Sequence, residues 1–451
     1  MHNSAVTEPP LTMRRVTQTW WPLAAGWFIM TVEIPLLSAV AARQPHPEIS
    51  LASWGLVFAL ALILASPAMM LLSASTALSR DHASYRKVSL YTWVIALGLT
   101  ALHAVLAFTP LFDLIVVGLI AAPPEIIEPS RLGLAVMLPY VAGLAYRRFN
   151  YGVLIRFNHT RAVTLGALVR LLVDVAVIGL LLLFGVNNGL LLVTITFTSG
   201  IVGEAIYSGF RVRPVLHELR LAKPVAQTLT LRSFTIFFVP LVMTSLLQIL
   251  VQPMGTAALS RMPNPLDSLA VWPVVYSLVI LWTSFGMAYT EAVVVLLDAP
   301  RAVYALHKFT MRGSIVVFAI LFFIAATPLA DLWFTYVAAL PAELSQTATI
   351  ALWGGLLIPS LTFYQSWYTG TLVNERATRA ITESVMIALV ANGLVLWLGI
   401  VWGNAPGIYV GMVGLLAGHL ARTVWLWVRT RPIMRNRRAA EPETTLSPAG
   451  V

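Results

Sequence analysis

The chain has 451 residues, of which 58% are hydrophobic and only 11% charged, with a formal net charge of +10 and no cysteine. A soluble domain carries roughly 25% charged residues, so a chain this apolar cannot keep its surface in water, and the lipid bilayer is its expected solvent. The missing cysteines exclude disulfides and thiolate metal sites. The positive charge sits in short loops between apolar runs, where it reports membrane topology rather than affinity for nucleic acid.

Residues 1–18 read as a polar cytoplasmic segment that ends shortly after Arg14 and Arg15. Apolar runs near 19–41, 51–73, 89–109, 131–148, 163–185 and 189–209 follow. Most match the ~20 residues of a membrane-spanning helix and are too long for barrel strands. The first run ends in Ser38-Ala39-Val40-Ala41-Ala42, which resembles a signal-peptidase site. Cleavage is not expected, because the run outlasts a signal core and its counterpart stands mid-chain. Residues 111–129, rich in Pro and Glu, are read as a short outer-surface helix capped near Asp113, and 329–346 as its partner near Asp331. After a cytoplasmic linker at 210–232, spans are expected at 237–259, 269–292, 313–333, 347–369, 381–402 and 407–428, and then a disordered tail, 430–451.

The two halves are copies. Arg43-Gln-Pro-His-Pro-Glu-Ile-Ser-Leu-Ala-Ser-Trp54 aligns without a gap on Arg261-Met-Pro-Asn-Pro-Leu-Asp-Ser-Leu-Ala-Val-Trp272, at an offset of 218 residues. The same offset pairs Pro22 with Pro240, Pro35 with Pro253, Asp113 with Asp331, Gly152 with Gly370, Thr160-Arg161-Ala162 with Thr378-Arg379-Ala380 and Arg213-Pro214 with Arg431-Pro432. A constant offset from end to end means a tandem duplication with almost no net insertion. Each copy holds six spans, so both enter the membrane in the same direction, related by an axis along its normal. The expected fold class is an all-α integral membrane protein of twelve transmembrane helices in two parallel six-helix bundles, 19–209 and 233–429.

Lys and Arg set the orientation. With a cytoplasmic N-terminus, twenty-four of the 29 basic residues fall on the cytoplasmic side and three, Arg43, Arg131 and Arg261, on the other. Both termini are therefore expected in the cytoplasm, and a bacterial inner membrane is the expected location.

Two parallel six-span bundles resemble the multidrug/oligosaccharidyl-lipid/polysaccharide (MOP) exporter superfamily, whose bundles form a V around a central cavity. Within it, Leu51-Ala-Ser-Trp-Gly-Leu56 looks like the opening of the second span in progressive ankylosis proteins, and Gly152-Val-Leu-Ile155 is similar to that family's Gly-Ile-Leu-Leu stretch. The resemblance implies a MATE-like V-shaped fold and export of a small anion such as pyrophosphate, a nucleotide or citrate. The long acidic tail of the animal members is missing here.

Ionisable residues inside spans are costly, and function is their default reading. Glu33 lies ten residues before Arg43, roughly 15 Å below the surface by helical rise, and Pro35 is expected to kink the helix just beyond it. The second copy keeps the kink at Pro253, has Val251 in place of Glu33, and supplies polarity through Gln248 and Gln252. Glu33 reads either as a proton carrier or as a packing contact to a neighbouring helix. Arg170 and Asp174, four residues apart on one helix face, read as a mutually neutralising pair or as an anion contact; their mates are Ala388 and Asn392. Glu204 and Arg422 are mates of opposite charge, which suggests an inner gate that closes by pairing, or two groups that snorkel separately. Glu291 is placed in the same vestibule. Glu383 and His419, near span ends, are read as snorkelling, and His103 as a packed histidine.

No P-loop, zinc spacing or nucleophile elbow occurs, so neither an enzyme nor a cofactor is expected. The expected function is a secondary-active exporter working by alternating access on a small organic or phosphorylated anion. A flippase for a lipid-linked glycan or a multidrug exporter of the same superfamily is the alternative, and a non-transporting membrane scaffold a third. The expected partners are membrane lipids, the anionic substrate and a coupling proton or cation, with the protein a monomer.

Overall fold

The structure, a computed structural model, describes residues 11–157, 159–221, 229–375, 377 and 379–440. All regular structure among them is helical. The first copy contains α1 (Met13–Ala42), α2 (Pro47–Met69), α3 (Leu71–Leu78), α4 (His82–Phe108), the short α5 (Leu111–Asp113) with a π-helical turn (Leu114–Ile120), α6 (Pro124–Val136), α7 (Leu138–Arg156), α8 (Thr160–Leu183) and α9 (Gly189–Leu221). The second contains α10 (Leu231–Ile249), α11 (Val251–Leu259), α12 (Pro265–Met287), α13 (Tyr289–Leu296), α14 (Ala302–Ala326), α15 (Leu329–Leu332) with its π turn (Trp333–Val337), α16 (Ala342–Gly355), α17 (Ile358–Asn374), α18 (Arg379–Trp402) and α19 (Gly407–Ala440).

The duplication reaches down to backbone dihedrals. Thr12 and Thr230, 218 residues apart, cap α1 and α10 by accepting from the backbone N–H three residues on. His46 and Asn264, both left-handed (φ 54 and 52), precede the prolines that open α2 and α12. Ala121 and Ala339, also left-handed, end the two π turns. The same cross-turn bond recurs there, Ala122 N–H to Val116 O at 3.0 Å and Leu340 N–H to Phe334 O at 2.8 Å. Gly152 and Gly370 serve close packing. A Cβ at Gly152 would lie 2.5 Å from the Leu72 carbonyl of α3, and one at Gly370 3.0 Å from the matching Thr290 carbonyl of α13.

Eleven helices or helix pairs are long and apolar enough to cross a membrane by length and composition. The expected twelfth, α6–α7, has the place and length of α16–α17 but is not among the eleven; Arg131, Arg147, Arg148 and Arg156 are spread along it. Several boundaries shift. Residues 13–18 belong to α1 rather than to a loose segment, and Leu11 and Val16 are buried against the second copy, with Leu11 N–H bonded to Pro300 O. α9 and α19 continue through 210–221 and 430–440, so the first part of the linker and of the tail is helical; 222–228 and 441–451 lie outside the described residues. Arg437 ties the end of α19 to Asp298, Asn374 and Glu375. Asp113 and Asp331 do not cap helices. Asp113 pairs with Arg131 at 2.5 Å, and Asp331 accepts from Thr335 and Ser345.

The copies meet along α2 and α12, of which the α12 span is the more enclosed. Gly55 and its mate Pro273 touch there; a Cβ on Gly55 would stand 3.7 Å from the Pro273 ring and from the Leu269 carbonyl. Contact between mates is what an isologous two-fold interface produces on its axis. A reciprocal contact follows nearby. Arg43, ending α1, donates to Tyr336 O (2.7 Å) and Val337 O (3.0 Å), the last carbonyls of the second copy's π turn. Arg261, ending α11, donates to Ile120 O (2.9 Å) and Leu119 O of the first copy's π turn. Each arginine also binds a carbonyl of its own helix four residues back. The face carrying Arg43 and Arg261 is thus bridged from both sides.

Candidate functional site: two cavities of opposite polarity

In the first copy α1, α7, α8 and α9 bring five charged side chains together. Arg170 on α8 forms a fork with Glu33 on α1, its Nε 2.9 Å from Oε1 and a terminal nitrogen on the other oxygen, and its guanidinium lies over the Phe197 ring. Arg147 on α7 pairs with Glu204 on α9, which also accepts from the Tyr151 hydroxyl at 2.8 Å. Asp174, fully buried, lies beside Glu33, with no hydrogen-bond donor on either oxygen. Small residues make the room. A Cβ at Gly200 would overlap the Asp174 carboxylate, and one at Gly166 the Tyr151 hydroxyl. What remains between Glu33, Arg147, Arg170, Asp174 and Glu204 is a gap of about 20 Å³, enough for about one water.

The second copy has a cavity of about 250 Å³ in the equivalent place, lined by Val251, Tyr276, Ala388, Asn392, His419 and Arg422 among others. These are the mates of Glu33, Phe58, Arg170, Asp174, Ile201 and Glu204. Truncating Glu33 to Val251 and Arg170 to Ala388 turns the filled layer into an open one. Arg422 has no ion pair or hydrogen bond among the described residues. Asn392 is 3% exposed and leaves both amide atoms unpartnered. The mate of Arg147 is Gln365, whose amide donates to His419 Nδ1 (3.2 Å), His419 O and Thr423 Oγ1. With Nδ1 accepting, the ring is neutral and carries its proton on Nε2.

Several expectations need correcting. Arg170 does not pair with Asp174 along its own helix; it is turned to Glu33 on α1. The Glu204–Arg422 pair is absent among the described residues. Glu204 is engaged inside its own copy by Arg147 and Tyr151, and Arg422 faces the other copy's cavity. Glu291 is exposed on α13 and lines neither cavity. Gln252 does not line the second cavity; it accepts from Trp272 Nε1 at 3.2 Å. The Gln248 side chain lies outside the described residues. The helix stays continuous through Pro35, whereas Pro253 follows a break at Leu250 between α10 and α11, where the Ile249 carbonyl has no N–H to receive. His419 is held by Gln365 rather than snorkelling; Glu383 pairs with Arg379 and Arg429, and His103 is buried against Leu134 O.

Sequence reasoning missed Arg147, Tyr151 and Gln365. Arg147 sits at the cytoplasmic end of the span read at 131–148, where a basic residue reads as a topology charge. Its mate Gln365 lies inside the span read at 347–369, so the repeat register itself placed Arg147 within a helix.

No protein-family model and no curated protein sequence matches the chain. Solved structures do match in fold. An inward-facing multidrug resistance MATE family transporter of the MOP superfamily is 11% identical, with 94% of this chain and 96% of that one covered and a TM-score of 0.69. The lipid II flippase MurJ in an inward closed conformation is 12% identical, covering 91% and 87%, with a TM-score of 0.68. A MOP superfamily transporter from Pyrococcus furiosus, described as having a binding pocket of reversed polarity, is 13% identical, covering 96% and 100%, with a TM-score of 0.66. Over nearly its whole length this chain therefore has the fold shared by MATE transporters and MurJ.

Proposed function

We propose that the chain is a secondary-active exporter of the bacterial inner membrane that moves a small organic or phosphorylated anion by alternating access between its two bundles, 19–209 and 233–429. The observation that carries this is Arg422, half-buried and uncompensated at its cavity among the described residues, opposite a layer in which Glu204 and Glu33 neutralise Arg147 and Arg170. An ionisable side chain within a bilayer-spanning helix is costly and points to function by default, and a cation bare at a cavity suits a ligand of opposite sign. Glu33, with Asp174 beside it, serves in this reading as the proton carrier. The face of Arg43 and Arg261 is periplasmic and closed in this conformation, with the termini in the cytoplasm. The inward-facing state of the MATE transporter with a TM-score of 0.69 supports that assignment.

The test is uptake of radiolabelled citrate, pyrophosphate and a nucleotide into everted membrane vesicles carrying the protein, with a pH gradient imposed. Gradient-dependent uptake above that of empty vesicles is expected for at least one of them. Movement of a lipid-linked glycan or of cationic drugs with no anion uptake would replace this reading by the flippase or the multidrug exporter, and inertness to all would leave a scaffold.

A further inference from the structure

We infer that the cavity of the second copy is an anion-binding site in its own right, with Arg422 as the charge partner, His419 Nε2–H as a second donor, and the Asn392 amide and Tyr276 hydroxyl reading the ligand's polar end. The inference rests on the exporter reading only for the word substrate; the site itself rests on the comparison of the copies. At the three positions from which the first copy sends carboxylates into this layer, Glu33, Asp174 and Glu204, the second has Val251, Asn392 and Arg422. The position that supplies the cation for Glu204, Arg147, is Gln365, and that amide is committed to His419 and Thr423. Among the described residues, no side chain of the second copy gives Arg422 the counter-charge that Arg147 and Arg170 receive in the first. The cavity lies where the first copy holds Glu33 and Arg170, so the anionic group of a ligand would stand near the place of the first copy's carboxylates.

Size and wetting narrow the ligand. A cavity of ~150 Å³ takes one benzene, so about 250 Å³ admits a ligand of roughly ten non-hydrogen atoms by the same ratio. Asn392 presents a donor and an acceptor, both buried and unpaired. The preferred ligand thus carries one anionic group for Arg422 and a hydroxyl, carboxyl or phosphoryl group at the other end. An apolar or cationic molecule leaves Arg422 and Asn392 unsatisfied. A free anion and a lipid headgroup share the phosphate chemistry, and the small volume favours the free anion.

The experiment is ligand binding to the purified full-length protein in detergent, read by quenching of tryptophan fluorescence and by the shift in melting temperature. The probes are citrate, pyrophosphate, chloride, the neutral sugar alcohol inositol and a polyprenyl pyrophosphate. Citrate or pyrophosphate should bind saturably and inositol should not. Arg422→Gln should weaken anion binding by about tenfold to a hundredfold, and Arg422→Lys should retain part of it. The decisive variant is Asn392→Asp, which restores the first copy's residue. It sets a carboxylate beside Arg422, keeps the fold, and should abolish anion binding while leaving the ligand-free melting temperature equal or higher. Wild-type affinity in both Arg422→Gln and Asn392→Asp overturns the site, as does binding of the polyprenyl pyrophosphate alone or of chloride alone. Binding that obeys these variants without any transport in vesicles keeps the site and removes the exporter reading. Transport with unchanged affinity in Arg422→Gln does the reverse.

Discussion

Replacing Arg43 and Arg261 by alanine should open the face that they bridge. Each guanidinium makes two hydrogen bonds to carbonyls of the opposite copy, and those carbonyls end a helical turn, where the backbone is most electronegative. Both arginines are solvent-exposed, so each bond is worth ~1 kcal/mol rather than the larger figure of a buried charged pair. One substitution then removes about 2 kcal/mol from the closed arrangement and shifts the open-to-closed ratio about 30-fold. Both together, if independent, remove about 4 kcal/mol, roughly 1,000-fold. The assay uses the cysteine-free chain. Spin labels at Phe108→Cys and Ala326→Cys, mates at the exposed ends of α4 and α14, report the separation of the two copies on this face by electron–electron dipolar coupling. The wild type should give one short distance, the single variants a mixture, and the double variant chiefly the longer distance. An unchanged distribution in the double variant would refute the latch and leave the α2–α12 seam as the whole closure. Lysine at both positions keeps the charge without the fork and should fall between wild type and alanine.

Glu33→Gln should abolish pH-driven uptake, and, because it leaves Arg170 buried beside a neutral partner, it should also lower the unfolding temperature; unchanged pH dependence in vesicles returns Glu33 to packing. Gly200→Ala drives a methyl into the Asp174 carboxylate and should destabilise the protein by ~1–3 kcal/mol, whereas Asp174→Ala on the same background should recover part of that loss in a thermal unfolding assay. The Asn374 amide, and then Arg437, hold the Asp298 carboxyl below the usual carboxylate range. A depressed folded pKa stabilises above the unfolded value and is lost as pH falls through the folded one, so the end of α19 should become protease-sensitive in acid, and in Arg437→Ala at neutral pH as well. Export of a monovalent anion against an imported proton should be electrogenic, so that an inside-negative potential set by potassium and valinomycin accelerates it in proteoliposomes; indifference to potential excludes that stoichiometry.

Much of the fold was legible because duplication wrote it twice. A single apolar run is ambiguous in its ends; the recurrence of Pro47 as Pro265 marks one helix start in both copies, whereas the starts capped by Thr12 and Thr230 lie upstream of the apolar runs and were not legible from them. The layer of Glu33, Arg170 and Glu204 was legible too, since the bilayer makes each buried charge conspicuous. The partners were not. Helical rise gives depth, and position along a helix says nothing about rotation toward one neighbour or another. Arg170 and Asp174 are four residues apart, and still Arg170 turns to α1, because Glu33 offers a fork from a separate helix while Asp174 is packed under Gly200. Glu204 and Arg422 do not pair in this conformation. Mates of a duplication face each other only near the pseudo-axis, as Gly55 and Pro273 do, and α9 and α19 lie away from it.

The inverted polarity of the two copies bears on how a proposed exchanger would avoid slipping. When all ionise, the residues lining the first gap carry one surplus negative charge, and those lining the second cavity one positive charge. A proton cancels the first and a monovalent anion the second. A bundle motion that carries the anion outward without the proton therefore moves net negative charge outward, and the return with the proton but without the anion moves net positive charge inward. Both halves of the cycle run with an inside-negative potential. The unproductive motions, both sites empty or both filled, move no net charge and gain nothing from it. Each elementary charge crossing the membrane is worth ~2.3 kcal/mol per 100 mV, so two charges per cycle supply ~4.6 kcal/mol, enough for a gradient of roughly three powers of ten. Had both copies kept the carboxylates of the first, an anion would meet no cation. Had both taken the arginine of the second, no group would carry the proton. In this reading five exchanges, Glu33 to Val251, Arg147 to Gln365, Arg170 to Ala388, Asp174 to Asn392 and Glu204 to Arg422, would supply both functions from one inherited frame.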